Sequence, residues 1–125
     1  MMMLPEKMLQ VLSHEGVAAI ATQGEGGPHL VNTWHSYIKI TEDGRLIFPA
    51  GRMNVTEANV EKRNQVLITI GSREAEGFNG PGTGFLITGP AAFLKQGNEF
   101  DKLKQKFPWA RAAVEIKIVS VEQTL

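Results

Sequence analysis

Residues 46–70 have the sequence LIFPAGRMNVTEANVEKRNQVLITI, which predicts a strand, a short helix and a second strand in succession. Apolar residues at 45–50 predict the first strand, and a similar run at 65–73 predicts the second. Between them, Asn54 stands three residues before Glu57, as in a capping box in which Asn replaces Ser or Thr. The pattern predicts a helix over 55–63 with Asn54 as its N-cap.

The start of this helix contains the groups of an anion site. The first amides of a helix have no intrahelical acceptor, and the helix dipole adds about half a positive charge at that end. Arg52 lies just before the predicted helix, and Thr56 lies in its first turn. In an alternative interpretation, Asn54 only caps the helix, Thr56 faces solvent and Arg52 pairs with a surface glutamate. This stretch alone leaves the two interpretations open.

The rest of the sequence predicts a mainly β protein. Helices are predicted from Pro5 to about Glu15 and over 98–107, and further strands at 17–23, 28–40, 83–94 and 111–121. Gly89-Pro90 interrupts one of these strands, as a bulge or an edge does, and 74–82 is predicted to be an irregular loop. The total is six strands and three short helices. Because the strands do not alternate with helices, this order favours a small antiparallel barrel over a parallel doubly wound sheet.

Composition bounds the functional classes. A chain of 125 residues with 42% hydrophobic residues predicts one compact domain over 1–125. Thirteen basic residues balance thirteen acidic ones, so the basic surface of a nucleic-acid binder is not expected. The apolar runs are far shorter than the roughly 20 residues of a membrane helix, and the start is a poor signal peptide. We expect a cytoplasmic protein that binds neither nucleic acid nor a membrane.

Several chemistries find little support in the sequence. The chain has no cysteine, which excludes disulfides, thiolate nucleophiles and Cys-ligated metals. His29 and His35 would lie roughly 20 Å apart along an extended strand, so no metal site is expected there. The glycines of 79–89 lead into a strand pattern with neither a helix nor a Lys, which favours a plain turn over a phosphate loop. Neither G-x-S-x-G nor H-E-x-x-H occurs, so an ordinary hydrolase is not expected.

The sequence NTWHSY at 32–37 strengthens the case for a binding site. A strand that only builds a core would carry more Val and Ile than this one does. Asn32 and Trp34 are expected on one face, and Thr33, His35 and Tyr37 on the other. Such a strand can offer both an aromatic wall and hydrogen-bonding groups to a flat heteroaromatic ring. The alternative is an ordinary barrel strand with a buried Trp.

Four segments together resemble the small dimeric FMN-binding proteins of the FMN-binding split-barrel superfamily, which also contains pyridoxamine phosphate oxidase. These segments are AIATQGEGGPHLVNTWHSY, PAGRMNVTEANV, GSREAEGFNGPGTGFLITGPAAF and WARAAVEIKIVSVEQTL. The resemblance covers nearly the whole chain, and several segments match over their full length. It implies a six-stranded antiparallel FMN-binding split barrel that forms a homodimer and holds one FMN per subunit near the interface.

The resemblance also implies which residues bind the cofactor. The strand at Asn32, Thr33, Trp34 and His35 is expected to line the isoalloxazine ring, and the segment from Pro49 to Thr56 to hold the phosphate. Trp109 is expected to approach the ring. Independently of the resemblance, we hypothesise that the C-terminal segment with Leu125 reaches the site of the partner subunit, because this aliphatic side chain would otherwise be left in water. The full set is Asn32, Thr33, Trp34, His35, Pro49, Gly51, Arg52, Met53, Asn54, Thr56, Trp109 and Leu125.

The chain departs from the pattern that it resembles at two positions. That pattern has Gly where this chain has Arg52, and Lys where this chain has Val55. A cation is therefore lost at one position and gained three residues earlier. We hypothesise that Arg52 supplies the positive charge for the phosphate.

Three functions remain open at this stage. With no obvious acid, base or nucleophile in the sequence, the first is a small electron-transfer flavoprotein with an unidentified redox partner, since the flavin carries the chemistry. The second is an FMN-dependent reductase or oxidase that uses NAD(P)H or a small substrate. The third is a β-barrel interaction module that binds no flavin.

Overall fold

The computed structural model describes residues 4–125 and contains three α-helices and eight strands within that range. The helices are α1 (Glu6–Leu12), α2 (Asn54–Lys62) and α3 (Asn98–Lys106). The strands are β1 (Val17–Gly24), β2 (Gly27–Trp34), β3 (Lys39–Ile40), β4 (Arg45–Ala50), β5 (Gln65–Gly77), β6 (Gly80–Leu94), β7 (Ala112–Lys117) and β8 (Ser120–Gln123).

All of the strand pairs are antiparallel, and the strands follow the order β2-β1-β5-β6-β7-β4-β3, with β8 on β6. Apolar side chains from alternate positions of β1, β5 and β6 meet in one core, where Ile20, Ile68 and Ile87 are almost completely buried. Helix α1 adds Met8 and Val11 to the same core. The mainly β, antiparallel split-barrel fold class is therefore confirmed.

The strand count of six is wrong because two predicted strands are each divided. The predicted strand 28–40 ends at Trp34, where a 3₁₀ turn over His35–Tyr37 separates β2 from the short β3. The predicted strand 111–121 divides after Lys117: β7 pairs with β4 and β6, whereas β8 pairs with an earlier part of β6. Hydrophobic periodicity continues across both breaks, so it gave no sign of them.

Gly89-Pro90 is neither a bulge nor an end of β6, which runs through it without interruption. Before this point β6 pairs with β5 and β8, and from Ala91 onward it pairs with β7. A Cβ built on Gly89 would lie 1.8 Å from the carbonyl oxygen of Lys117, which is far inside van der Waals contact. Only glycine therefore allows the backbone of β7 to pass so close to this strand.

The predicted loop at 74–82 is a β-hairpin. Strand β5 continues to Gly77, with a shift in its pairing register between Ser72 and Glu76, and β6 begins at Gly80. Ala75 is buried, which gives the extended hairpin an anchor on the core. Gly80, at φ 119°, takes the positive dihedral that the tight turn requires. The high Gly and Pro content marked this turn, but it did not exclude the two strands beside it.

The ends of two helices differ from the predicted ones. The N-cap of α2 is Met53, at φ 67° and ψ 37°, and its side chain makes no capping hydrogen bond. Asn54 is the first helical residue, so the predicted capping box is wrong. Helix α1 ends at Leu12, short of Glu15, and α3 lies within one residue of its predicted range.

Within residues 4–125, no helix has the length and apolar composition needed to span a membrane. The same range contains no cluster of three or more His, Asp or Glu side chains that could hold a metal ion.

Candidate functional site: an aromatic cleft beside helix α2

A cleft of about 570 Å³ lies between the end of β2 and the segment that joins β4 to α2. We call it the aromatic cleft. Strand β2 contributes five consecutive residues, and Tyr37 follows in the 3₁₀ turn. The other wall comes from Pro49, from 51–53 and from Trp109. The complete lining is Leu30, Val31, Asn32, Thr33, Trp34, Tyr37, Pro49, Gly51, Arg52, Met53 and Trp109.

Aromatic rings form much of the wall. The ring centroid of Tyr37 lies 5.8 Å from that of Trp109, and Phe107 contacts the first ring at a tilted angle and the second edge to face. Trp34 and Trp109 remain about half exposed, at 42% and 52%. A Cβ on Gly51 would lie 3.1 Å from the Trp109 ring, so glycine lets the ring settle against the backbone. The cleft therefore presents exposed aromatic surface suited to a flat ring.

Arg111 fixes the segment between β4 and α2. Its Nε and one guanidinium nitrogen donate to the carbonyl oxygen of Arg52 at 3.1 and 2.8 Å, and its amide donates to the Ala50 carbonyl. The other guanidinium nitrogen donates to Glu57 at 2.8 Å, and Lys95 pairs with the second oxygen of that carboxylate at 2.7 Å. These contacts hold Met53 in a left-handed conformation that is costly for a non-glycine residue.

The same cations perturb the Glu57 carboxylate. The hydrogen bond from Lys95, followed by that from Arg111, lowers the pKa of Glu57 below its ordinary value, and partial burial opposes this effect. Glu57 is therefore ionised at neutral pH. The resulting cluster of Lys95, Glu57 and Arg111 connects α2 to the end of β6 and to the segment that precedes β7.

The N-terminus of α2 has donors without acceptors. In the described part of the chain, the amides of Asn54, Val55 and Thr56 have no hydrogen-bond acceptor. Thr56 is buried, and its hydroxyl lacks a hydrogen-bond partner within residues 4–125. An unpartnered buried hydroxyl is unusual in a folded protein. Helix start, dipole and hydroxyl together form an anion-binding arrangement.

Arg52 adds a positive charge beside this helix start. Its backbone carbonyl is held by Arg111, whereas its guanidinium group makes no ion pair or hydrogen bond within residues 4–125. The alternative in which Arg52 pairs with a surface glutamate is therefore wrong. Arg52 is also the one charged side chain among the described residues that line the cleft.

Eight of the twelve site residues predicted from the sequence line the aromatic cleft. They are Asn32, Thr33, Trp34, Pro49, Gly51, Arg52, Met53 and Trp109. Asn54 and Thr56 lie outside the lining but within the first turn of α2, directly after Met53.

His35 and Leu125 lie elsewhere. His35 is 2% exposed, and its Nδ1 lies 2.7 Å from the carbonyl oxygen of His14. Because a carbonyl only accepts, Nδ1 carries the proton, and Nε2 has no partner within the described range. The Leu125 carbonyl accepts hydrogen bonds from Thr83 and Gln123 at the β5–β6 hairpin, and its side chain is exposed. Within this chain, neither residue contributes to the lining of the cleft.

Several residues around the cleft were not predicted from the sequence. Tyr37 was expected beside His35 on a continuous strand, but the 3₁₀ turn redirects it into the cleft. Leu30 and Val31 line the cleft from β2, and their apolar character resembled that of any strand. Arg111 and Glu57 position the cleft without lining it. These two residues are 54 positions apart in the sequence, so no local pattern could have predicted their contact.

Comparison with known proteins identifies the family. A family model described as pyridoxamine 5'-phosphate oxidase matches residues 4–124. This chain therefore belongs to the pyridoxamine 5'-phosphate oxidase family. A protein of Nitratidesulfovibrio vulgaris (strain DSM 19637 / Miyazaki F), named FMN-binding protein, is 58% identical over 123 residues, which cover 98% of this chain and 100% of that protein.

Solved structures support the fold at much lower sequence identity. HupZ of Group A Streptococcus superposes with a TM-score of 0.80 at 17% identity, over 97% of this chain and 94% of that one. An FMN-binding protein from Syntrophomonas wolfei subsp. wolfei gives a TM-score of 0.73 at 15% identity, over 96% of this chain and 85% of that one. At these identities the similarity shows the fold alone.

Proposed function

We propose that this protein binds FMN in the aromatic cleft and acts as an electron-transfer flavoprotein. The observation that carries the proposal is the adjacency of two features: a cleft walled by exposed aromatic rings and a helix start with unpartnered donors. A flavin mononucleotide combines a flat heteroaromatic ring with a phosphate, so it matches both. The 58% identical relative bears the name FMN-binding protein, which supports the same cofactor.

The phosphate end fits the start of α2. The unpartnered amides of 54–56 and the buried Thr56 hydroxyl would donate to phosphate oxygens. The phosphate would thus supply the hydrogen-bond partner that this buried hydroxyl lacks. Arg52 would add the full positive charge that the helix dipole lacks. Val55 is half exposed at the same turn and has no donor in its side chain.

The ring end fits the wall of the cleft. Trp34, Tyr37 and Trp109 would contact the ring through their faces and edges, and the Asn32 amide supplies a polar group on the same strand. When bound, FMN supplies one-electron and two-electron redox chemistry. The chain itself would hold the ring, exclude water from its faces and set the polarity around it.

Electron transfer is preferred to substrate turnover because of the composition of the cleft. None of the described lining residues is an Asp, Glu, His or Lys that could serve as a general acid or base. The runner-up is an FMN-dependent reductase or oxidase. Stopped-flow mixing of the FMN-loaded protein with NADH or NADPH separates the two. We expect flavin reduction by NAD(P)H to be slow, with rapid reduction by a one-electron donor such as reduced methyl viologen. Fast, saturable reduction by NAD(P)H alone would favour the enzyme.

We also propose a homodimer in which a second copy covers the outer face of β1, β2 and β5. The register places Ala21 opposite both Leu30 and Leu67, and Ala19 opposite both Asn32 and Thr69. Leu30 and Leu67 are exposed at 68% and 45%, so this face is apolar and open. Because Asn32 and Trp34 lie on it, a second copy would adjoin the aromatic cleft, where its Leu125 could complete the site.

A further inference from the structure

A second, smaller groove lies between α3 and the sheet, on the other side of Tyr37 from the aromatic cleft. This α3 groove has a volume of about 250 Å³. Its lining comprises Tyr37, Ile38, Lys39, Ile47, Glu99, Lys102, Leu103, Lys106 and Phe107. Tyr37 lines both cavities, and its ring centroid lies 5.0 Å from that of Phe107.

The floor of the groove is apolar. Ile47 and Leu103 belong to a small core that is separate from the main one, and Phe107 packs against its edge. Together with Ile38 and the Tyr37 ring, these side chains offer an uncharged floor to a ligand. Burial of an apolar body here would be favourable in proportion to the area removed from water.

The rim of the groove is positively charged. Lys102 and Lys106 stand four residues apart on α3, so they share one face of the helix. Neither makes an ion pair with a described residue, although the Lys106 ammonium lies 5.5 Å from the Phe107 ring centroid. Lys39, on β3, is a third cation in the lining.

The single acidic group in the lining is already neutralised. Glu99 lies 3.4 Å from the Arg45 guanidinium and 4.0 Å from the Lys39 ammonium. Lys102 and Lys106 therefore retain their charge for a ligand. An apolar floor beneath two unpaired cations is complementary to a small molecule with an apolar body and one acidic group.

We propose that the α3 groove binds a small apolar acid, such as an aromatic carboxylate or sulfonate. The volume is below the range of pockets that hold drug-sized ligands, so the ligand is a small aromatic acid of at most three rings and not a nucleotide. Apart from Tyr37, the lining shares no residue with the aromatic cleft, so this binding does not depend on FMN.

The test uses 8-anilinonaphthalene-1-sulfonate (ANS), an apolar anion whose fluorescence rises when it leaves water. Titrations are made with the purified protein, both without FMN and with excess FMN to fill the aromatic cleft. With FMN in excess we expect saturable binding of one probe per chain. Without FMN we expect a second probe in the aromatic cleft, whose exposed rings and helix start also suit an aromatic anion. The uncharged analogue N-phenyl-1-naphthylamine should bind about tenfold more weakly, because it lacks the sulfonate.

Two variants locate the site. Lys102→Glu combined with Lys106→Glu should weaken ANS binding by about tenfold or more, because two attractions become two repulsions. Lys117→Glu, an exposed lysine on β7, is the matched control and should bind as the parent does. Amide chemical shifts of the parent should change at Lys39, Leu103 and Lys106 when ANS is added. Binding that is unsaturable, equal in the double variant, or mapped by shifts to the outer face of β1, β2 and β5 would overturn the proposal.

Discussion

At the scale of single residues, Arg52 leads to the most specific prediction about FMN binding. Its guanidinium is unpaired within the described range, and it is the one charged side chain among the described lining residues. A charge-assisted contact to phosphate contributes about 1.5 to 3 kcal/mol. Arg52→Met should therefore weaken FMN binding roughly tenfold to a hundredfold and leave riboflavin, which lacks the phosphate, nearly unchanged. Titration calorimetry with the two ligands measures both.

Two controls sharpen this prediction. Arg63→Met, an exposed arginine just beyond α2, should bind both ligands as the parent does. Val55→Lys added to Arg52→Met should recover part of the lost FMN affinity, since it returns a cation to the first turn of α2. If Arg52→Met binds FMN as tightly as the parent, the amides and Thr56 hold the phosphate alone.

The two tryptophans lead to a second residue-scale prediction. Trp34 and Trp109 both line the cleft, and both expose about half of their surface. We expect FMN fluorescence to be strongly quenched on binding, and Trp34→Leu or Trp109→Leu to restore part of it. Lifetime measurements on the loaded proteins test this directly. Bound FMN as bright as free FMN would place both rings away from the flavin.

At the scale of elements, the cluster of Lys95, Glu57 and Arg111 controls the segment before α2. Lys95 and Arg111 lower the pKa of Glu57, so its contribution to stability is present above the unfolded-state pKa of about 4.3. That contribution is lost as the pH falls through the depressed folded-state pKa. Glu57→Gln should lower the unfolding free energy by about 1 to 3 kcal/mol at pH 7. The difference from the parent should shrink on acidification.

Urea unfolding at pH 7, 5 and 3.5 measures this difference. Glu61→Gln is the matched control, because Glu61 is exposed on the same helix and forms no ion pair with a described residue. Glu57→Gln should also loosen the hold of Arg111 on the Arg52 carbonyl, and so weaken FMN binding. A constant difference between Glu57→Gln and the parent at all three pH values would contradict the assigned cause.

Some elements are determined by local sequence, and others depend on distant contacts. The runs at 45–50 and 65–73 and the helix between them were predicted to within a few residues, because local periodicity and composition determine them. Met53 was not predicted as the N-cap, because its left-handed backbone depends on Arg111, which is 58 residues away. The sequence predicts a loop at the β5–β6 hairpin because its glycines occur both in the turn and in the two strands.

At the scale of the whole molecule, the antiparallel split-barrel class followed from the order of elements and from the resemblance. The change of strand partners along β6 could not be predicted in this way, because it depends on the approach of Lys117 to Gly89 across the fold. The site was predictable where its residues are consecutive, as in 32–34 and 51–53. It was not predictable where the 3₁₀ turn brings in Tyr37.

The proposed homodimer gives a prediction at this scale. Leu67→Arg would place a charge in the middle of the apolar outer face of β1, β2 and β5, so the protein should become monomeric and bind FMN more weakly. Leu9→Arg, equally exposed on α1, is the control and should remain dimeric. Deletion of residues 124–125, which lie beyond β8, should weaken FMN binding without loss of dimer. Light scattering and FMN titration measure these outcomes, and a monomeric parent would contradict the proposal.

Binding of FMN in the aromatic cleft can be measured by titration of three matched proteins. FMN is added to the apoprotein, to Gly51→Leu, whose side chain would displace the Trp109 ring, and to Gly26→Leu, whose added Cβ has no neighbour within 4 Å. We predict that the parent and Gly26→Leu bind one FMN per chain and that Gly51→Leu loses most of this binding while it stays folded by circular dichroism. A parent that takes up no FMN, or a folded Gly51→Leu that binds it as tightly as the parent, would contradict the claim.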